Sequence, residues 1–214
     1  MPHKIYLAGP EVFHPDAAAL GRQKQALCRE YGFDGLFPLD NEIAARATPV
    51  ATAMAIYVAN RGMIEAADAV IANLTPFRGP SADLGTVFEL GCAAGLGRLV
   101  LGYSNQAGTL LDKTRAADPA ASRDAARGIW RDRLGLEIED FGLADNLMIA
   151  CCLEAGGAPL VINRCAEDRR LTDLTGFRAC LDLAQRTFAA QAGSSGSAAT
   201  RASPSIVRPR PTKR

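Results

Sequence analysis

Ala69-Val-Ile-Ala-Asn-Leu74, Thr75-Pro-Phe-Arg-Gly-Pro-Ser81 and Asp83-Leu-Gly-Thr-Val-Phe-Glu-Leu-Gly91 follow one another and read as a strand, a loop and a helix. Val87, Phe88, Leu90, Cys92, Ala93, Ala94 and Leu96 make that helix apolar almost all round, the pattern of a buried helix. Glu89 is the exception. A helical side chain leans over its i−4 and i−3 neighbours, which for Glu89 are Gly85, without a side chain, and Thr86. The spacing therefore predicts an open pocket above one carboxylate. Asp83 takes the N-cap position, in non-helical geometry, and can turn back toward Glu89 so that two carboxylates share a site. The alternative stays open that Asp83 only caps the helix and Glu89 is a partly solvated surface residue.

Outward from this unit, strand-like and helical runs alternate. Ile5 to Ala8 reads as a strand ending at Gly9-Pro10, Ala17 to Tyr31 as a helix, Leu36-Phe37 as a short strand, and Val50 to Ala67 as a second helix. Leu99 to Tyr103 gives a further strand, Phe141 to Ile149 an apolar helix, Pro159 to Val161 a last strand, and Asp168 to Ala189 a closing helix. Such alternation predicts an α/β fold: a doubly wound parallel sheet, Rossmann-like or flavodoxin-like, of about five strands with helices on both faces. Ligands of these sheets bind outside the carboxyl ends of the strands. Gly9-Pro10, Asp40, Asn73 and the loop to Asp83 all fall on that rim.

The 214 residues, 48% hydrophobic, suit a single domain over 1–190, with an inserted excursion or lid at about 104–139. From 191 to 214 the composition turns to Ser, Ala, Pro and Arg without an acidic residue, which predicts a disordered, solvated basic tail. A net charge of +1 gives no electrostatic argument for nucleic acid or membrane binding. Six cysteines without CxxC or metal-ligand spacing read as free or buried thiols of a reducing cytosol, and no apolar run approaches a membrane span. The expectation is a cytoplasmic protein.

Lys4-Ile-Tyr-Leu-Ala-Gly-Pro10 with Phe13, the loop Pro38-Leu-Asp-Asn-Glu42, Asn60 before Met63-Ile-Glu-Ala-Ala-Asp68, Asn73-Leu-Thr-Pro-Phe-Arg-Gly79, Asp83-x-Gly-Thr-x-x-Glu89-Leu-Gly and Asn146-Leu-Met148 together resemble the nucleoside 2-deoxyribosyltransferase family. Order and spacing match over roughly residues 4 to 155, and the Pro-Phe-Arg-Gly loop and the Phe-Gly-Leu segment resemble the purine-type branch of trypanosomatids. The resemblance implies transfer of a 2-deoxyribosyl group between nucleobases, through a covalent intermediate on Glu89 and with retention of configuration. Asp83 is then the acid that protonates the departing base, or a holder of the incoming one, and Tyr6 the hydroxyl that orients Glu89. Gly9 and Pro10 let backbone approach the substrate, Phe13 offers a face to the base, and Asp40, Asn60, Asn73, Arg78 and Gly85 line the same rim.

Asn146 matches a family asparagine that binds the 5′-hydroxyl from a neighbouring subunit; the alternative stays open that it caps the helix carrying Leu147 and Met148. That implies a homo-oligomer, dimer-based or hexameric, acting on deoxynucleosides and free nucleobases in salvage, with no metal, cofactor, nucleic acid or membrane.

Two departures bear on this. Some members carry an acidic residue where this chain has Asn73, which leaves open the proton donor and the choice between purine and pyrimidine. The segment between Tyr103 and Phe141 is long, and is open between a lid and a subunit contact. An alternative is a 2′-deoxynucleoside 5′-monophosphate N-hydrolase using the same glutamate, with Arg78 gripping the phosphate. Pro10-Glu11-Val12 argues against it, because Glu11 would repel a phosphate. A non-catalytic nucleotide-sensing module is a further alternative, and an intact Glu89 argues against that.

Overall fold

Alternate residues of the buried strands pack on opposite faces of one sheet. The computed structural model describes residues 1–41 and 43–194. In chain order it forms β1 (Lys4–Ala8), α1 (Ala17–Glu30), β2 (Asp34–Leu36), α2 (Pro49–Ala66), β3 (Ala69–Asn73), α3 (Leu84–Gly95) and β4 (Leu99–Ser104). There follow α4 (Leu110–Ala117), β5 (Ser122–Asp124), β6 (Ile129–Arg131), β7 (Glu137–Ile138), α5 (Leu147–Ala155), β8 (Val161–Ile162) and α6 (Thr175–Ser194). Five strands pair in parallel in the order β2-β1-β3-β4-β8.

Ile5, Leu7, Ile71 and Leu101 pack with Leu27 and Cys28 of α1 and Phe177 and Leu181 of α6. Their alternates Tyr6, Val70, Ala72 and Val100 face Ile64 of α2, Leu90 and Ala93 of α3, and Ile149 and Leu153 of α5. Fully buried aliphatic side chains of this kind contribute about 1.5–3 kcal/mol each. The sheet is thus doubly wound. The strand order turns between β1 and β3, so the crevice of such a fold opens where the loops after those two strands diverge.

Two helix starts differ from expectation, each because a side chain captures a backbone N–H that a helix would have used. The helix expected from Phe141 begins only at Leu147: Asn146 Oδ1 accepts from the Met148 N–H at 3.0 Å, and Gly142 sits at φ 70 in the left-handed region. The closing helix expected from Asp168 begins at Thr175, whose N–H donates to Asp173 Oδ1 at 2.9 Å; a single 3-10 turn covers Glu167–Arg169. That helix also continues through Ser194, past the expected end of the domain at 190, and the rest of the expected basic tail, 195–214, lies outside the described residues. The excursion at 104–139 holds α4 and an antiparallel meander β5-β6-β7, with the Arg115 guanidinium 4.2 Å above the Trp130 ring. Among the described residues no helix is long and apolar enough to cross a membrane.

Candidate active site

α3 begins where Asp83, in extended geometry, accepts from the Thr86 N–H at 2.9 Å and the Thr86 hydroxyl at 3.0 Å. Six residues on, Glu89 meets β1 from the side that the sheet's alternation assigns to Tyr6. The Tyr6 hydroxyl donates to Glu89 Oε1 at 2.6 Å, the short length expected of a bond to a carboxylate.

Burial lifts the Glu89 pKa from 4.5 to about 7. The Tyr6 hydrogen bond opposes that rise, the charge of Asp83 adds to it, and a hydrogen bond from Asn60 opposes it again. Burial, and then the negative charge of Glu89, push the Tyr6 phenol far up, so Tyr6 stays a donor. The site therefore holds a carboxylate poised near neutrality beside a second carboxylate.

Glu89 opens into a cavity of about 300 Å³ lined also by Gly9, Phe13, Asn60, Asp83, Gly85 and Thr86. Gly85 supplies the opening read from the sequence, and a Cβ there would sit 3.1 Å from Asp83 Oδ2. A Cβ on Gly9 would stand 2.0 Å from Glu11 Oε2, so only glycine allows this close approach of the loop after β1. Asn60 Oδ1 is buried without a partner among the described residues, an acceptor left over in the cavity wall. Pro38, Leu39, Ile56 and Val12 complete an apolar side. Of these Ile56 was readable, lying one helical turn before Asn60 on α2.

Other expected site residues stand elsewhere. Pro10 is buried at the start of a 3-10 turn and does not line the cavity. Asp40 caps the turn at Pro38–Asp40, accepting from the Phe37 N–H at 2.9 Å and from Gln25 Nε2 at 2.7 Å. Asn73 is fully buried: its Nδ2 donates to Glu11 Oε1 at 2.9 Å, and its Oδ1 accepts from Thr75. Arg78, at φ 56, lays its guanidinium 5.1 Å from the centre of Phe13 and 4.7 Å from that of Phe77, rings that stack on each other at 5.4 Å. It packs on both rings, of which Phe13 alone lines the cavity, and does not itself line it.

Glu11 requires a correction. It is 1% exposed and does not line the cavity: its Oε1 accepts from Lys24 Nζ, from Asn73 and from the Tyr103 hydroxyl at 3.0 Å, so its charge is paired with Lys24 inside the molecule, and its Oε2, beside Gly9, is buried without a hydrogen-bond partner among the described residues. This network anchors the loop that carries Gly9 and Phe13. The sequence signal for it is Lys24, which stands on the inward stripe Leu20, Leu27, Cys28 of α1.

Asn146 lies apart from the Glu89 cavity, in an apolar groove of about 580 Å³ between α3 and α5 lined by Leu84, Val87, Leu90, Met148 and Ile149. All six cysteines are free thiols. Among the described residues no group of three or more His, Cys, Asp or Glu side chains is placed to hold a metal ion.

Fold and site define an α/β protein that sets a half-buried carboxylate beside a tyrosine and an aspartate at the turning point of a parallel sheet. A family model described as nucleoside 2-deoxyribosyltransferase matches residues 5–148, and the chain belongs to that family. It is 38% identical to a 2-desoxiribosyltransferase from Leishmania mexicana, with a TM-score of 0.53 over 69% of this chain and 85% of that one. It is also 28% identical over 176 residues to an uncharacterized protein of Schizosaccharomyces pombe, a match spanning 76% of this chain and 83% of the relative.

Proposed function

We propose that this protein transfers a 2-deoxyribosyl group from one nucleobase to another, with Glu89 as the nucleophile. The observation that carries the reading is the Tyr6–Glu89 bond of 2.6 Å, made from the core to a carboxylate that lines a cavity with Asp83 and Asn60. One oxygen of Glu89 is fixed by Tyr6, leaving the other to attack the anomeric carbon. The C1′–N bond breaks, its electron pair leaves with the base, and a glycosyl ester forms on Glu89. A second base then attacks C1′, the ester bond breaks, and two inversions give overall retention. Positive charge develops on the sugar in each step, and fixed carboxylates in a partly desolvated pocket stabilise it. Asp83 lines the cavity and delivers or receives the base proton; its contact with Thr86 holds it there.

Phe13, which lines the cavity and is backed by its stack on Phe77, supplies an aromatic face for the base. The chain works as a homo-oligomer in which Asn146 serves the site of a neighbouring subunit. This fits its position outside the Glu89 cavity of its own chain. The substrates are deoxynucleosides and free bases of salvage, in the cytoplasm.

The test is chromatography of the protein incubated with deoxyinosine, with and without adenine. Deoxyadenosine formed only when adenine is present, together with a deoxyribosyl adduct mapped to Glu89 by mass spectrometry, is the expected result. Free hypoxanthine and deoxyribose without exchange would overturn the transferase reading.

A further inference from the structure

Among the described residues, Arg78 is the only one other than glycine whose backbone lies in the left-handed region, at φ 56. That conformation is disfavoured for a residue with a Cβ, and it persists only where the surroundings hold it. Here the loop is closed on itself, the Phe77 N–H donating to the Ser81 carbonyl at 3.0 Å. Glycine would make the same turn without strain.

What the turn gains with arginine is the placing of one guanidinium. Among the described residues Arg78 forms no ion pair. Its charge is instead set 4.7 Å from the centre of the Phe77 ring and 5.1 Å from that of Phe13, within the range of cation–π attraction. The planes of the two rings lie within 12° of each other. Phe13 is the member of this trio that lines the Glu89 cavity, yet it is 56% exposed and ends a single 3-10 turn, Pro10–Phe13. Much of its ring has no protein around it.

We propose that Arg78 is a positioning residue for the nucleobase, acting through Phe13 by holding that ring in place before the base arrives. The inference rests on the reading that Phe13 faces the base. A half-exposed phenyl ring samples several rotamers, and fixing one of them on binding costs affinity. The guanidinium and the Phe77 ring meet that cost in the free protein, so the base finds its wall already set. Such a gain is the same for the bound ground state and the transition state, and therefore shows in KM and not in kcat. Arg78 is not among the groups that shift Glu89, so the pH dependence stays where it is.

The test measures KM of the full chain for adenine as acceptor, with deoxyinosine as donor, because a free base carries neither sugar nor phosphate and reports on the wall alone. Arg78→Met keeps an unbranched stem and removes the guanidinium. It should raise KM for adenine about two- to fivefold, the size of a cation–π contact at an exposed site, without moving kcat or the pH limb. Arg78→Gly suits the backbone, so it should raise KM by a like factor while the melting temperature stays or rises. A residue that only shaped the loop would leave KM unmoved in Arg78→Gly. Phe13→Leu should also raise KM, and adding Arg78→Met to it should change nothing further, as for two residues acting as one unit.

An unchanged KM for adenine in folded Arg78→Met and Arg78→Gly, with KM raised in Phe13→Leu, would overturn the proposal and leave the base-facing reading of Phe13 standing. So would a rise on Arg78→Met that persists in full in the Phe13→Leu background, since the guanidinium would then not act through the ring. If Phe13→Leu leaves KM for adenine unaltered, the reading of Phe13 falls and this inference with it. A wild-type protein that makes no deoxyadenosine at all would sink both together with the transferase reading.

Discussion

Glu89 is held near neutrality by opposing influences that can be removed one at a time. The ionised form is the nucleophile, so kcat/KM for deoxyinosine should climb about tenfold per pH unit below pH 7 and level off above it. Tyr6→Phe removes a hydrogen bond that favours the ionised form and should move that limb to higher pH. Asp83→Asn keeps a capping oxygen and removes a like charge, which should move it to lower pH. The same group costs stability. Its folded pKa lies above its unfolded one, so the native state binds the extra proton, and stability falls as pH rises from about 4.5 to about 7. Glu89→Gln should therefore stabilise the protein by about 1–3 kcal/mol at pH 8 and by little at pH 5, while abolishing transfer. Urea denaturation at the two pH values checks this, and an equal effect at both would refute the burial argument. Gly85 and Thr86 made the pocket over Glu89 readable from spacing alone. Which polar neighbours of the rim turn inward was not readable, because Asn73 and Asp40 spend their side chains on partners, Glu11 and Gln25, that are distant in sequence.

At the level of elements, β1, β3 and α3 were legible because each carries one unambiguous signal: a short apolar run closed by a turn, or a capped apolar helix. Where polar residues could either continue a helix or take over its N–H groups, periodicity overshot, as at Asn146 and Asp173. The meander β5-β6-β7 was invisible for a related reason. Its three short strands are mostly polar or half-exposed, and only Ile138 gives a buried position. Asp173 shows how much such a capture contributes. It accepts from Thr175 and from Asn163 Nδ2 at 3.1 Å, pairs with Arg169 at 2.8 Å, and its carbonyl accepts from Asn105. Asp173→Ala should lower unfolding free energy by about 1–2 kcal/mol, in the range of lost caps, and leave KM for deoxyinosine unchanged. A change in KM would mean that this corner communicates with the site.

On the scale of the whole molecule, the sheet and its working rim followed from the alternation of strands and helices, whereas the surface did not. Leu84 is 86% exposed, Met148 72%, Val58 60% and Phe88 56%, large apolar side chains that α2, α3 and α5 leave uncovered around the two cavities. Within one chain these residues have no task, and periodicity cannot tell a helix face that packs on its own sheet from one that packs on another copy. The proposed oligomer gives them one, because Asn146 sits among them, outside the Glu89 cavity. If a complete site takes Glu89 from one chain and Asn146 from another, neither Glu89→Ala nor Asn146→Ala alone forms one at full strength. Dissociating and reassembling an equal mixture should then restore activity. In a dimer built at random, half the assemblies are mixed and each holds one intact site of two, so recovery should approach about a quarter of the wild-type rate. Mass spectrometry of the reassembled species verifies the mixing. Verified hybrids that remain as inactive as the Glu89→Ala protein would place the whole site within a single chain.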